Sequence, residues 1–135
     1  MGRISRQRGK LFELRCARLL PSLLEHDRFK RTGSRGTQPR GDIVPVDERG
    51  AIVPALADRW YIECRLRSRL SSGMIRRWIQ EVLRAGHYAE HRWLLFAQLG
   101  GPVFALYCDL QSCDKDWPLR CTILEDDQKD DDNAM

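Results

Sequence analysis

Apolar and polar residues alternate along Trp60-Tyr61-Ile62-Glu63-Cys64-Arg65-Leu66-Arg67. This is the period-two pattern of a strand with one buried face, on which Trp60, Ile62, Cys64 and Leu66 lie. Glu63 and Arg65 share the opposite face. Upstream, Asp42 heads a second apolar run, Ile43-Val44, which Pro45 breaks. If the two strands are neighbours, a carboxylate from each meets at one edge. Adjacent carboxylates repel unless one is protonated or a divalent cation lies between them. A hard cation such as Mg2+ takes oxygen ligands at about 2.0–2.1 Å and keeps several waters. Arg65 is then placed to hold a phosphate against it. The pattern points to phosphodiester chemistry.

The remaining periodicities frame this pair of strands. Residues 1–8 read as a basic, mobile arm. From Gly9 onward, Phe12, Cys16, Leu19, Leu20, Leu23 and Leu24 form a helical stripe, which Pro21 kinks or restarts. Glu13 lies beside the stripe. It is either a first-turn acid facing the helix dipole or a ligand for a metal or water. Arg28–Thr32, with Arg31, predicts a short strand. The segment from Gly33 to Arg40 predicts a glycine-rich loop whose amides, with Ser34, Arg35 and Arg40, can approach a phosphate.

Gly41–Val46 predicts a strand, Asp47–Gly50 a turn and Ala51–Val53 a return strand, with edges or bends at Pro45 and Pro54. Arg59–Leu66 predicts the strand of Glu63. A helix over Met74–Ala85, capped by Ser71 or Ser72 and ended by Gly86, buries Met74, Ile75, Trp78, Ile79 and Val82. Arg76, Gln80 and Arg84 share one of its faces. Trp93–Gln98 and Val103–Tyr107 predict strands joined through Gly100-Gly101, and Arg120–Leu124 predicts one more. His87 and His91 fall in the preceding connector and read as surface groups.

Composition narrows the partners. The chain has 135 residues, 42% of them hydrophobic and 31% charged, as in one soluble domain. Its apolar runs are too short to span a bilayer and no signal peptide is read, so no membrane partner is expected. The net charge of +4 hides an acidic tail from Glu125, expected to be disordered, that carries −5; the rest carries +9. Such a basic body suits a polyanion, and nucleic acid is the commonest. The five cysteines, Cys16, Cys64, Cys108, Cys113 and Cys121, have no framework spacing and read as reduced cytosolic thiols. Cys16 and Cys64 fit a core. Cys108, Cys113 and Cys121 leave zinc as a minor alternative.

Glu13, Thr32-Gly33-Ser34-Arg35-Gly36, Gly41-Asp42-Ile43, Ile62-Glu63-Cys64-Arg65 and the helix with Gln80, taken in order, resemble the PD-(D/E)xK nuclease superfamily. Over roughly residues 8–110 the chain is most similar to archaeal and phage Holliday-junction resolvases. The resemblance implies an α/β fold with a restriction-endonuclease-like αβββαβ core, a central mixed sheet flanked by helices. It implies Mg2+, or Mn2+, held by Asp42, Glu63, the Cys64 carbonyl and Glu13. It also implies a homodimer acting on four-way or otherwise branched DNA, in the cytoplasm of a prokaryotic cell or phage-infected host. The catalytic set would be Glu13, Asp42, Glu63 and Arg65, with Arg31, Ser34, Arg35, Arg40, Arg76, Gln80 and Arg84 on DNA.

One position departs from the pattern: Arg65 stands where the family has lysine. Arginine stays charged up to about pH 12 and cannot serve as a general base. The alternatives are a nuclease of other DNA-structure specificity and a catalytically weak or silent DNA-binding module. The zinc-stabilised domain is a third.

Overall fold

The computed structural model describes residues 2–33, 40–108 and 120–124. Helix α1 spans Gly2–Leu19 and runs into a short 3-10 turn at Leu20–Ser22. Strands β1 (Phe29–Arg31) and β2 (Ile43–Pro45) come next, then helix α2 (Pro54–Arg59) and strand β3 (Trp60–Arg67). Helix α3 (Ser72–Ala85) leads to strands β4 (His91–Gln98), β5 (Val103–Cys108) and β6 (Arg120–Leu124). The fold is mixed α/β. Its main sheet has the order β3-β4-β5-β6, with β3 and β4 parallel and the other pairs antiparallel. Strands β1 and β2 form a separate antiparallel pair. A single parallel bridge, Gly41 to Ile62, joins that pair to β3.

Two apolar layers hold the sheet. On one face the α1 stripe (Phe12, Cys16, Leu19), continued by Leu20 of the 3-10 turn, packs with Trp60, Ile62, Cys64, Leu95 and Val103. On the other, Trp78, Ile79 and Val82 of α3 pack with Tyr61, Leu94, Phe96 and Leu106. Strand β3 is therefore covered on both faces, not one, and Tyr61 is buried. Its alternation reads as one-sided because Glu63 and Arg65 lie toward its C-terminal end, where cover thins and both are half-buried.

Several elements differ from the sequence expectation. The 1–8 arm is the start of α1, since Gly2–Leu19 is one helix. Arg and Gln are good helix formers, and a lone glycine at position 9 costs the helix only about 1 kcal/mol. Pro54 starts α2 at its first turn instead of marking a bend, the place where a missing N–H costs nothing. The Ala51–Val53 return strand is reduced to one bridge, Val46 to Ile52. His91 opens β4. The apolar residues of β4 and β5 are covered within the chain: Leu94, Leu95, Ala97, Val103 and Ala105 are fully buried. Among the described residues no helix is long and apolar enough to cross a membrane.

Three expectations hold. The Asp47–Gly50 turn closes through Gly50 N–H on Asp47 O, at 3.0 Å. The Gly100-Gly101 hairpin joins β4 and β5, with Gly100 at φ +82°. Ser71 caps α3, its hydroxyl accepting from Met74 N–H at 3.2 Å. Ser71→Ala is expected to cost about 1 kcal/mol in urea unfolding, with no change in the far-ultraviolet spectrum of the folded state.

A carboxylate pair closed by an arginine

The site begins with Gly41. At φ +83° its Cα faces the β3 backbone so closely that a Cβ would lie 2.5 Å from Ile62 O. Only glycine allows this approach. It lets Asp42 N–H donate to Ile62 O at 2.8 Å. Thr32 fixes the other side, donating through its N–H to Asp42 O at 2.9 Å and through its hydroxyl to Gly41 O at 3.0 Å. Asp42 then lies along β3, its Oδ2 accepting from Cys64 N–H at 2.8 Å.

Glu63 arrives from β3 itself. Its Oε1 accepts from the Tyr61 hydroxyl at 2.7 Å. Tyr61 is in turn seated against Gly86, where a Cβ would meet its ring at 2.7 Å. Burial, the Glu63 charge and the hydrogen bond to Glu63 all raise the Tyr61 pKa, so the phenol keeps its proton and stays a donor. Oε2 of Glu63 meets Arg65.

Arg65 fills the space between them. Its Nη1 lies 2.5 Å from Glu63 Oε2 and 3.7 Å from Asp42 Oδ2, and donates to Cys64 O at 3.0 Å. These are the three oxygens that the resemblance names as metal ligands. The other terminal nitrogen, Nη2, lies 3.7 Å from Glu81 Oε1 on α3. Burial alone would lower the Arg65 pKa, but Glu63 and Asp42 raise it.

The carboxylates remain costly even so. Burial first, then the charge of Glu63, lift the Asp42 pKa to about 7; Glu13 adds to the rise, while the Cys64 N–H and Arg65 oppose it. Asp42 thus holds its proton to a higher pH than an ordinary carboxyl does, and a second positive charge would lower its pKa.

Beside this cluster lies a cleft of about 880 Å3 between α1, the end of β3 and α3. Arg8, Arg65, Arg67 and Arg77 line it, against the carboxylates Glu13 and Glu81. Asp42 and Glu63 are not among its lining residues, so Arg65 stands between them and the cleft.

The predicted set is only partly gathered here. Asp42, Glu63, Arg65 and the Cys64 carbonyl come together. Glu13 reaches the edge, but its Oε1 is paired with Arg31 Nε at 2.8 Å. Arg31 is therefore a partner of Glu13 before it is a DNA contact. Arg40 pairs with Asp58 of α2 at 3.2 Å and does not line the cleft. Arg76, Gln80 and Arg84 are exposed and also absent from its lining, for they lie across α3 from Trp78. The cleft side of α3 is Met74, Arg77, Trp78 and Glu81. Ser34, Arg35 and Cys113 lie outside the described residues, as does the acidic tail.

Tyr61, Glu81, Arg8, Arg67 and Arg77 were not legible as site residues. The available signal was spacing: Arg77 and Glu81 flank Trp78 on the Met74 side of the helix.

The donor set fits a hard cation in kind, two carboxylate oxygens and a carbonyl around one point. Among the described residues no group of three His, Cys, Asp or Glu side chains gathers to hold a metal. The candidate position depends on the Cys64 carbonyl for its third protein donor. No protein-family model matches the chain, and no curated protein or solved structure matches it.

Proposed function

We propose that this chain is a Mg2+-dependent DNA endonuclease, with Mn2+ as a substitute, built on an αβββαβ nuclease-like core. One observation carries the reading. Asp42 Oδ2, Glu63 Oε2 and Cys64 O surround one point, held by Arg65 Nη1, beside an arginine-lined cleft. When bound, the metal supplies a water of lowered pKa and offsets charge on the leaving oxygen. The chain's own residues do the rest. Tyr61 orients Glu63, the Cys64 N–H orients Asp42, and Arg8, Arg67 and Arg77 hold the phosphate backbone. Arg65 engages the scissile phosphate as a planar two-pronged donor. It is not the base. The four-way substrate and the two-fold homodimer rest on the resemblance alone, and paired incisions would need two sites fixed by a dyad.

A second reading has its own support. Arg65 occupies the cation position, as it would in a catalytically silent DNA-binding module. Gel assays of labelled four-way and linear DNA, with and without Mg2+, separate the two. The proposal expects metal-dependent cutting, faster on the four-way substrate; the silent module expects retention without cutting.

Binding itself is expected to depend steeply on salt. Four phosphate contacts, from Arg8, Arg65, Arg67 and Arg77, give a slope of about −3.6 in log K against log salt. Arg77→Ala should make that slope shallower by about 1. A slope near zero would remove nucleic acid as the partner.

A further inference from the structure

We propose that Arg65 and a divalent cation compete for one position, and that Glu81 receives the arginine when the cation enters. The inference rests on reading Asp42, Glu63 and the Cys64 carbonyl as a cation position, and goes beyond it by assigning a switch to Arg65 and Glu81. Arg65 Nη1 touches two of the three oxygens and approaches the third at 3.7 Å. A cation on those oxygens cannot coexist with a guanidinium nitrogen there, both for space and for charge. The arginine must leave, and its path is marked. Nη2 already lies 3.7 Å from Glu81 Oε1, and Glu81 is on the cleft wall and half exposed. The same motion opens the way in, since Arg65 separates the carboxylates from the cleft. A phosphodiester in the cleft would draw the guanidinium the same way. Metal and DNA would then favour each other's binding through one side chain.

The competition is measurable without DNA. Mn2+ is titrated calorimetrically into the full chain as wild type, Arg65→Ala, Glu81→Gln and the double variant. Arg65→Ala is expected to bind Mn2+ at least about tenfold more tightly than wild type, because nothing need be displaced. Glu81→Gln should weaken binding about threefold or more in the wild type and leave it unchanged in the Arg65→Ala background. That non-additivity distinguishes a receiver for Arg65 from a distant negative charge, which would weaken both backgrounds equally. Arg65→Gln serves in place of Arg65→Ala if the latter unfolds. The proposal is overturned if removing Arg65 gives no tighter binding, or if Glu81→Gln acts equally in both backgrounds. A failure to cut DNA in the gel assay would leave these titrations as they stand, so the two readings fail separately.

Discussion

Asp42→Asn and Glu63→Gln are expected to reduce DNA cutting on the order of a thousandfold each, or beyond detection, while leaving DNA affinity within about threefold. Each change removes one of the two charged donors of the proposed cation position. Both meet Arg65, but among the described residues neither is ion-paired with Arg8, Arg67 or Arg77, and neither carboxylate lines the cleft. Rates with and without Mg2+, alongside gel retardation in a chelator, check both halves.

The same Asp42 variant carries a stability signature. The Asp42 pKa is raised to about 7 from its ordinary 3.8 by burial, then by Glu63. The folded chain therefore holds that proton more tightly than the unfolded chain. The stabilising contribution is complete below the unfolded value and is lost as pH rises through about 7. At higher pH the ionised group costs the fold on the order of 2–4 kcal/mol. Asparagine does not titrate. Asp42→Asn should thus be more stable than wild type at about pH 8, with the difference shrinking toward about pH 4. Urea unfolding across that range reads it directly. A difference that grows toward acid would mean that Asp42 is ionised and stabilising in the fold.

Gly41→Ala is expected to destabilise the chain by about 2–4 kcal/mol and to abolish cutting with it. Two costs combine. The residue has φ +83°, which side chains disfavour, and its Cβ would lie 2.5 Å from Ile62 O and 3.2 Å from Ile62 N. The backbone must retreat from β3, which breaks the Asp42 N–H to Ile62 O hydrogen bond and draws the carboxylate off Cys64 N–H. Gly50→Ala is the control. Its φ is +84° but nothing lies within 4 Å of the added carbon. It should cost only about 1–2 kcal/mol and leave the site intact. Equal effects at both glycines would show that the contact with β3 is not what position 41 protects.

The parts read correctly from sequence were those set by local physics. The α3 stripe, its Ser71 cap and the Gly100-Gly101 hairpin each follow from periodicity or backbone geometry within a few residues. The meeting of Asp42 with Glu63 was legible as a possibility of two neighbouring strands, and the Gly41–Ile62 bridge realises it. What failed depended on tertiary cover. Helix α3 has a polar residue on either edge of its stripe, and only the position of β3's end makes Arg77 and Glu81 the cleft side instead of Arg76, Gln80 and Arg84. Arg92 is a similar case. It is buried, donating to Gly86 O at 2.7 Å and His87 O at 3.2 Å just past the end of α3, and charge alone gives no sign of that. The role of Arg65 was read as phosphate binding; its seat on Glu63 Oε2 and the Cys64 carbonyl depends on how its side chain folds back along β3, which alternation does not show.

The cation position proposed at Asp42 Oδ2, Glu63 Oε2 and Cys64 O requires that Arg65 vacate it. Anomalous scattering from crystals of the protein grown with DNA and Mn2+ tests it most directly. A manganese peak is expected within bonding distance of all three oxygens, with the Arg65 guanidinium turned toward Glu81 or a DNA phosphate. A guanidinium still seated on Glu63 and the Cys64 carbonyl, with no manganese beside them at saturating concentration, would contradict it.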